Sequence, residues 1–287
     1  MWNQISAQIS QVTGKPFKIS DRRSVSGGCI NQGYQLIDDN QSYFIKINQA
    51  SRLEMFIAEA LGLKQMLETK TIRVPQPIFH GTEGSSSYLV LEWLDFARGG
   101  DNQAWEKMGR KLANMHQVQG VNQFGWEQNN TIGSTPQINT WTPNWADFFA
   151  EHRIGYQLKL ARRRGGNFPD SELVIAKVRE FLQDRHPQPS LVHGDLWSGN
   201  VAILESGEPV ILDPAIYYGD REVDIAMTEL FGGFPGAFYR GYEEVWSLDP
   251  GYQKRKPLYN LYHILNHFNL FGGGYGAQAN RMLLQIL

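Results

Sequence analysis

The chain is 287 residues long, 41% hydrophobic and 20% charged, a globular mix that excludes wholesale disorder and fibrous repeats. Its 27 basic and 29 acidic side chains leave a formal charge of −2, no footprint for a nucleic acid, and no apolar run approaches the ~18 residues of a membrane span. A single cysteine, Cys29, excludes an internal disulfide, and the Met1-Trp2-Asn3-Gln4 start lacks a basic, apolar leader, so the expectation is a cytoplasmic protein.

In chain order, Trp2, Ile5, Ile9 and Val12 lie three or four apart and predict a short helix. Residues 17–25 read as a strand and lead into the loop Ser26-Gly27-Gly28-Cys29-Ile30-Asn31-Gln32-Gly33. Strands at 34–37 and 43–47 are joined by Asp38-Asp39-Asn40-Gln41, good turn chemistry for a hairpin. Over 52–68 the residues Leu53, Phe56, Ala60, Leu63 and Leu67 recur at helical spacing, and Val74-Pro75-Gln76-Pro77 ends that helix. Strands at 78–81 and 88–94 bracket a Gly-Ser turn. The remainder reads mostly helical, at 102–117, 144–164, 171–184, 223–231, 236–246 and 254–271, with a strand-rich island at 190–218. Gly99-Gly100 break the pattern at 94–101. The sheet-first, helix-later order predicts an α+β protein of two lobes, a small antiparallel-sheet lobe with one helix at 1–94 and a larger, mainly helical lobe at 95–287.

The island holds His193-Gly194-Asp195-Leu196-Trp197-Ser198-Gly199-Asn200, then a turn at Gly207 and Val210-Ile211-Leu212-Asp213-Pro214. An aspartate five residues before an asparagine suits a tight loop that holds a base and a metal ligand close together. The hairpin that follows can return Asp213 to the same place. Phosphoryl transfer needs these parts: a carboxylate to accept the hydroxyl proton, and two oxygen ligands for Mg²⁺ bridging the phosphates of ATP. The plainer reading of each residue alone is turn chemistry; the full spacing argues for function. Upstream, Lys46 lies mid-strand between apolar neighbours, and Glu59 sits on the following helix, where a carboxylate could orient that ammonium toward phosphates. Gly27 and Gly28 would let backbone N–H groups approach a phosphate. Asp213 is followed almost at once by 217–224 and a helix. That leaves no room for the long activation segment with which protein kinases bind peptides, and favours a small hydroxyl substrate.

These motifs resemble the fructosamine kinase (ketosamine 3-kinase) family, in the aminoglycoside- and choline-kinase-like branch of the protein-kinase-like fold. The resemblance runs end to end, through Gly27-Gly28-Cys29-Ile30, residues 44–48, Leu91-Glu92-Trp93-Leu94, 191–200, the Tyr-Tyr-Gly-Asp-Arg-Glu run from Tyr217, and 258–267. It implies Asp195 as proton acceptor, Asn200 and Asp213 as Mg²⁺ ligands, and Lys46, held by Glu59, on the α- and β-phosphates. It implies Glu92, Trp93 and Leu94 as the hinge that pairs with adenine. The implied substrates are ketosamines, adducts of sugars on amines, phosphorylated at the sugar 3-hydroxyl so that the adduct can eliminate and release its amine.

Two residues extend this to the acceptor. Trp197 lies two positions after the proposed base, where its ring could wall a sugar pocket. Asp220, with Glu222 and Asp224, could favour an amine-bearing substrate, although Asp224 and its neighbours also suit the charging of a helix N-terminus. Cys29, in the phosphate-approaching loop, is a candidate for redox-dependent homodimer formation. Other acceptors on the same fold (aminoglycoside, choline or homoserine) and a nucleotide-binding pseudokinase are the competing readings.

Overall fold

A computed structural model describes residues 1–25 and 30–287. The first lobe is built from α1 (Trp2–Thr13), β1 (Asp21–Val25), β2 (Gln32–Ile37), β3 (Ser42–Gln49), α2 (Leu53–Glu68), β4 (Pro77–Glu83) and β5 (Ser86–Glu92). The strands form one antiparallel sheet in the order β1-β2-β3-β5-β4. Alternation along β3 decides what each face carries. Tyr43, Ile45 and Ile47 turn to the α1 side and pack with Ile5, Ile9, Leu36, Tyr88 and Val90. Phe44 and Lys46 turn to the other side, where Leu89 and Leu91 meet Phe56, Leu63 and Met66 of α2. The strand foreseen at 17–25 begins only at Asp21. Its first residues are held by serine hydroxyls instead of a ladder: Ser6 Oγ donates to the Phe17 carbonyl at 2.7 Å, and Phe17 N donates to Ser10 Oγ at 2.9 Å. The β2–β3 turn is an Asx turn, with Asp38 Oδ1 accepting from Asn40 N and Gln41 N, both at 2.8 Å.

The second lobe contains α3 (Asn102–Gln117), the hairpin β6 (Asn130–Ile132) and β7 (Thr135–Gln137), α4 (Trp145–Phe148), α5 (Tyr156–Arg163), α6 (Ser171–Leu182) and β8 (Ser190–Val192). There follow β9 (Val201–Ile203), β10 (Pro209–Ile211), β11 (Tyr217–Gly219), α7 (Glu222–Leu230), α8 (Gly236–Val245), α9 (Tyr252–Phe271) and α10 (Tyr275–Leu283). The single helix foreseen at 144–164 is continuous but widens into a π-helical stretch, Phe149–Gly155, between α4 and α5. The β6–β7 hairpin and α10 were not foreseen; three-residue strands and a nine-residue helix leave little periodic signal. No helix of the described residues is long and apolar enough to cross a membrane.

Helices α3 and α8 meet backbone to backbone. A Cβ on Gly109 would lie 2.1 Å from the Phe238 carbonyl oxygen, and one on Gly241 would lie 2.0 Å from that of Glu106. Neither contact can be relieved by a side-chain rotation, so Gly241→Ala is expected to cost about 2–3 kcal/mol in urea unfolding. Gly120→Ala, with nothing within 4 Å of the added carbon, is the control and should stay within about 0.5 kcal/mol. Equal effects of the two would contradict this packing.

Candidate active site

The loop after β8 is wired through backbone and side chain. His193 is buried; its Nε2 lies 2.7 Å from the Leu212 carbonyl, which can only accept, so Nε2 carries the proton and Nδ1 accepts from Asp195 N at 3.2 Å. Burial pushes the His193 pKa down and keeps this neutral tautomer. Asn200, at the end of the 3₁₀ turn Ser198–Asn200, donates through Nδ2 to the Asp195 carbonyl at 2.8 Å and to Oδ2 at 3.3 Å. Leu212 N in turn donates to Asn200 O at 2.8 Å. The β9–β10 hairpin thus returns the chain to the loop it left, and Asp195, Asn200 and Asp213 come to one place. Asp213 has φ +53°, a left-handed conformation that is uncommon outside glycine and that aspartate tolerates better than most.

From the opposite lobe, Lys46 reaches the same place. Its Nζ lies 2.6 Å from Glu59 Oε1 on α2 and 2.6 Å from Asp213 Oδ1. Lys46 is only 6% exposed, whereas the Asp213 side chain is 53% exposed, so the pair opens toward solvent on the Asp213 side. Burial opposes the ammonium charge, but the Asp213 and Glu59 carboxylates outweigh it and hold Lys46 well above its ordinary pKa. Glu59 is raised by burial, with Lys46 opposing and Asp213 reinforcing. Asp195 is pushed up to about 7, by burial first and then by the nearby Asp213 charge, against the Asn200 amide that favours its ionised form. A carboxyl group whose pKa lies near 7 can take up a proton near neutral pH, which suits a general base.

The structure corrects the acidic-cluster reading. Asp220 is fully buried and does not face the cleft: Arg185 grips it at 2.7 and 3.0 Å, and the Tyr259 hydroxyl donates to it at 2.7 Å. Its charge is therefore already matched and is not on offer to an amine. Asp224 does more than charge a helix end. Its Oδ2 accepts from His193 N at 2.7 Å and its Oδ1 from Gly194 N at 2.8 Å, anchoring the loop from below. His116 Nε2 lies 3.1 Å from the same carboxylate. The local signal was available: Asp224 is an acid enclosed by Val223, Ile225, Ala226 and Met227 in a helix buried all round. Nothing local marked His116 as its partner, 108 residues away.

Trp197 is 38% exposed, and its indole lies over Gly199, where an added Cβ would be 2.3 Å from the ring. Glu92 spends its carboxylate on Arg73 and on Gln76 N, both at 2.5 Å, and Trp93 Nε1 donates to Asp95 at 2.8 Å; Glu92, Trp93 and Leu94 are half-buried where the chain leaves β5. Gly27, Gly28 and Cys29 lie outside the described residues, and a dimer through Cys29 finds no support. The far end of that loop is tied to β3 by Asn48 Nδ2, which donates to the Ile30 carbonyl at 3.2 Å and to Asn31 Oδ1 at 2.7 Å.

A five-stranded antiparallel lobe over a helical one, with an ammonium of the first facing the loop of the second, is the architecture of a two-lobed kinase-fold phosphotransferase. A family model described as fructosamine kinase matches residues 1–287. A probable ketoamine kinase of Synechocystis is 66% identical over 286 residues, covering 100% of this chain and 97% of that protein. A chloroplastic protein-ribulosamine 3-kinase of Arabidopsis thaliana is 46% identical over 271 residues, covering 93% of this chain and 82% of its own length. A crystal structure described as that of a putative fructosamine-3-kinase of Haemophilus somnus superposes with a TM-score of 0.94 at 34% identity, covering 100% of this chain and 98% of the other. The chain belongs to the fructosamine kinase family.

The raised Asp195 pKa has a consequence for stability. Below about pH 4 the group is protonated folded or unfolded. Between there and about 7 the unfolded chain ionises while the folded one does not, so stability falls as pH rises through this window. Without nucleotide or metal, Asp195→Asn is therefore expected to be more stable than the parent at pH 8, by about 1–4 kcal/mol at ~1.4 kcal/mol per unit, with the gap closing toward pH 4. Thermal unfolding at the two pH values checks this; a less stable variant at pH 8 would contradict it.

Proposed function

We propose that this protein transfers the terminal phosphoryl group of ATP to the 3-hydroxyl of a ketosamine. The observation that carries the reading is the meeting of Asp195, Asn200 and Asp213 with the Lys46–Glu59 pair in one cleft. Asp195 accepts the hydroxyl proton as the sugar oxygen attacks the γ-phosphorus; the new O–P bond forms as the bond to ADP breaks. Lys46, aimed by Glu59, points its N–H donors at the phosphates. The half-buried segment Glu92-Trp93-Leu94 receives adenine.

The donor set fits Mg²⁺. Asn200 commits its Nδ2 to the Asp195 carbonyl, which leaves Oδ1 as the atom for an ion, and Asp213 adds a carboxylate. Among the described residues no cluster of three or more His, Cys, Asp or Glu could hold a metal alone. Such a site needs phosphate oxygens to complete it, the mode Mg²⁺ favours. When bound, the ion supplies charge neutralisation across the transferring phosphate.

For the acceptor, the exposed ring of Trp197, two residues after Asp195, offers a flat apolar face suited to the C–H face of a sugar. The relatives named for ketoamines and ribulosamines support this class over other hydroxyl acceptors. A pseudokinase reading is disfavoured because Lys46, Asp195, Asn200 and Asp213 are all present and face one another. After enolisation of the C2 carbonyl toward C1, phosphate leaves C3 by elimination, and water hydrolyses the resulting carbon–nitrogen linkage to free the amine. The test is ADP release with ATP, Mg²⁺ and the ribulosamine of lysine. Asp195→Asn should lower kcat by about 10²–10⁴-fold. Trp197→Ala should raise KM for the ketosamine and leave that for ATP unchanged. Parent protein inactive on ribulosamines and fructosamines would overturn the substrate; near-parental activity of Asp195→Asn would overturn the mechanism.

A further inference from the structure

Behind the catalytic loop lies a buried hydrogen-bonded line that the reaction itself does not touch. Arg221, 5% exposed, stacks on the Trp246 ring at 3.9 Å and donates to the carbonyls of Trp246 at 3.0 Å and Ser247 at 2.6 Å. Its NH1 also lies 3.2 Å from the Tyr242 hydroxyl on α8. That hydroxyl lies 2.8 Å from His116 Nδ1 on α3, and His116 Nε2 lies 3.1 Å from Asp224 Oδ2.

The donors and acceptors along this line admit one consistent assignment. A guanidinium can only donate, so the Tyr242 oxygen accepts from Arg221 and its own proton points elsewhere. Burial pushes the Tyr242 pKa up, against the opposing Arg221 charge, so the phenol keeps that proton. Among the described residues the acceptor within reach is His116 Nδ1. Nδ1 therefore carries no proton, and the ring presents Nε2–H to Asp224. An imidazolium would leave the buried phenolic proton without a partner, which buried donors rarely tolerate.

We propose that Arg221 and Tyr242 are positioning residues that fix His116 as its neutral Nε2–H tautomer and, through it, fix the Asp224 carboxylate that holds the loop bearing Asp195. The relay ends on the backbone of His193 and Gly194, one residue before the proposed base. Its value is orientational: Asp224 uses both oxygens on the loop, and a third donor of fixed direction stops the carboxylate from turning. Where reacting atoms must lie within a few tenths of an ångström, a tilt of that loop is costly. The proposal rests on the reading of Asp195 as proton acceptor.

The test uses the full chain labelled with ¹⁵N-histidine, with His116 assigned among the seven histidines by its absence in a His116→Gln spectrum. The expected spectrum shows a pyrrole-type Nε2 and a pyridine-type Nδ1 for His116. In Tyr242→Phe the ring loses that single state, and kcat for ADP release on a ribulosamine falls about ten- to hundredfold while KM for ATP stays within about twofold. An Nδ1–H or imidazolium state in the parent protein overturns the relay, as does a folded Tyr242→Phe with parental kcat. If Tyr242→Phe does not fold, the parent spectrum decides. A parent protein with the expected spectrum but no turnover of any ketosamine would leave the relay standing and fault the substrate reading instead.

Discussion

An ammonium held between two carboxylates, Lys46 between Glu59 and Asp213, is the contact on which the cleft depends. A lysine this buried is tolerated only when paired, because an isolated interior charge is strongly disfavoured. The pairing also brings three parts of the chain together: β3 carries the lysine, α2 the first carboxylate, and the turn after β10 the second. Two carboxylates to one ammonium leave no surplus positive charge for a triphosphate. That imbalance is the physical reason for reading a divalent ion into the nucleotide-bound state, beside the oxygen donors of Asn200 and Asp213.

The lower side of the cleft is organised by the opposite sign. Asp224 sits inside a helix buried all round, and its carboxylate is matched by two loop N–H groups and the His116 ring. Burial opposes its charge, but the hydrogen bonds from the His116 ring and His193 N favour the ionised form, and its pKa lies below the ordinary carboxylate value. Asp195, next in the chain after the anchored Gly194, is the reverse case: burial and the Asp213 charge raise it. Two aspartates on one scaffold thus differ in role because one is saturated with donors and the other is not. The close backbone approach of α3 and α8 through Gly109 and Gly241 sets where His116 and Tyr242 can meet.

Much of this was legible in the chain. The β3 alternation identified Lys46 as facing away from the apolar residues beside it, and the thirteen-residue step to Glu59 crosses from β3 into a helix on the same face of the sheet. The spacing from Asp195 to Asn200 and the hairpin back to Asp213 encode a local geometry, so a local reading finds them. Asp220 and Asp224 were harder. In sequence both belong to one acidic run, yet one meets Arg185 from 35 residues away and the other meets His116 from 108 residues away. Which acid is buried against which base is a property of helix packing, and the run itself does not encode it. The π-helical stretch and the β6–β7 hairpin escaped for a related reason: each is a short departure fixed by its surroundings.

The most direct test of the account is a structure of the protein with a non-hydrolysable ATP analogue, Mg²⁺ and a ribulosamine. The account predicts the sugar 3-hydroxyl within about 2.6–3.2 Å of an Asp195 carboxylate oxygen, in line with the γ-phosphorus, with Asn200 and Asp213 on the ion. A 3-hydroxyl facing another residue, or a nucleotide bound away from Lys46, would contradict it.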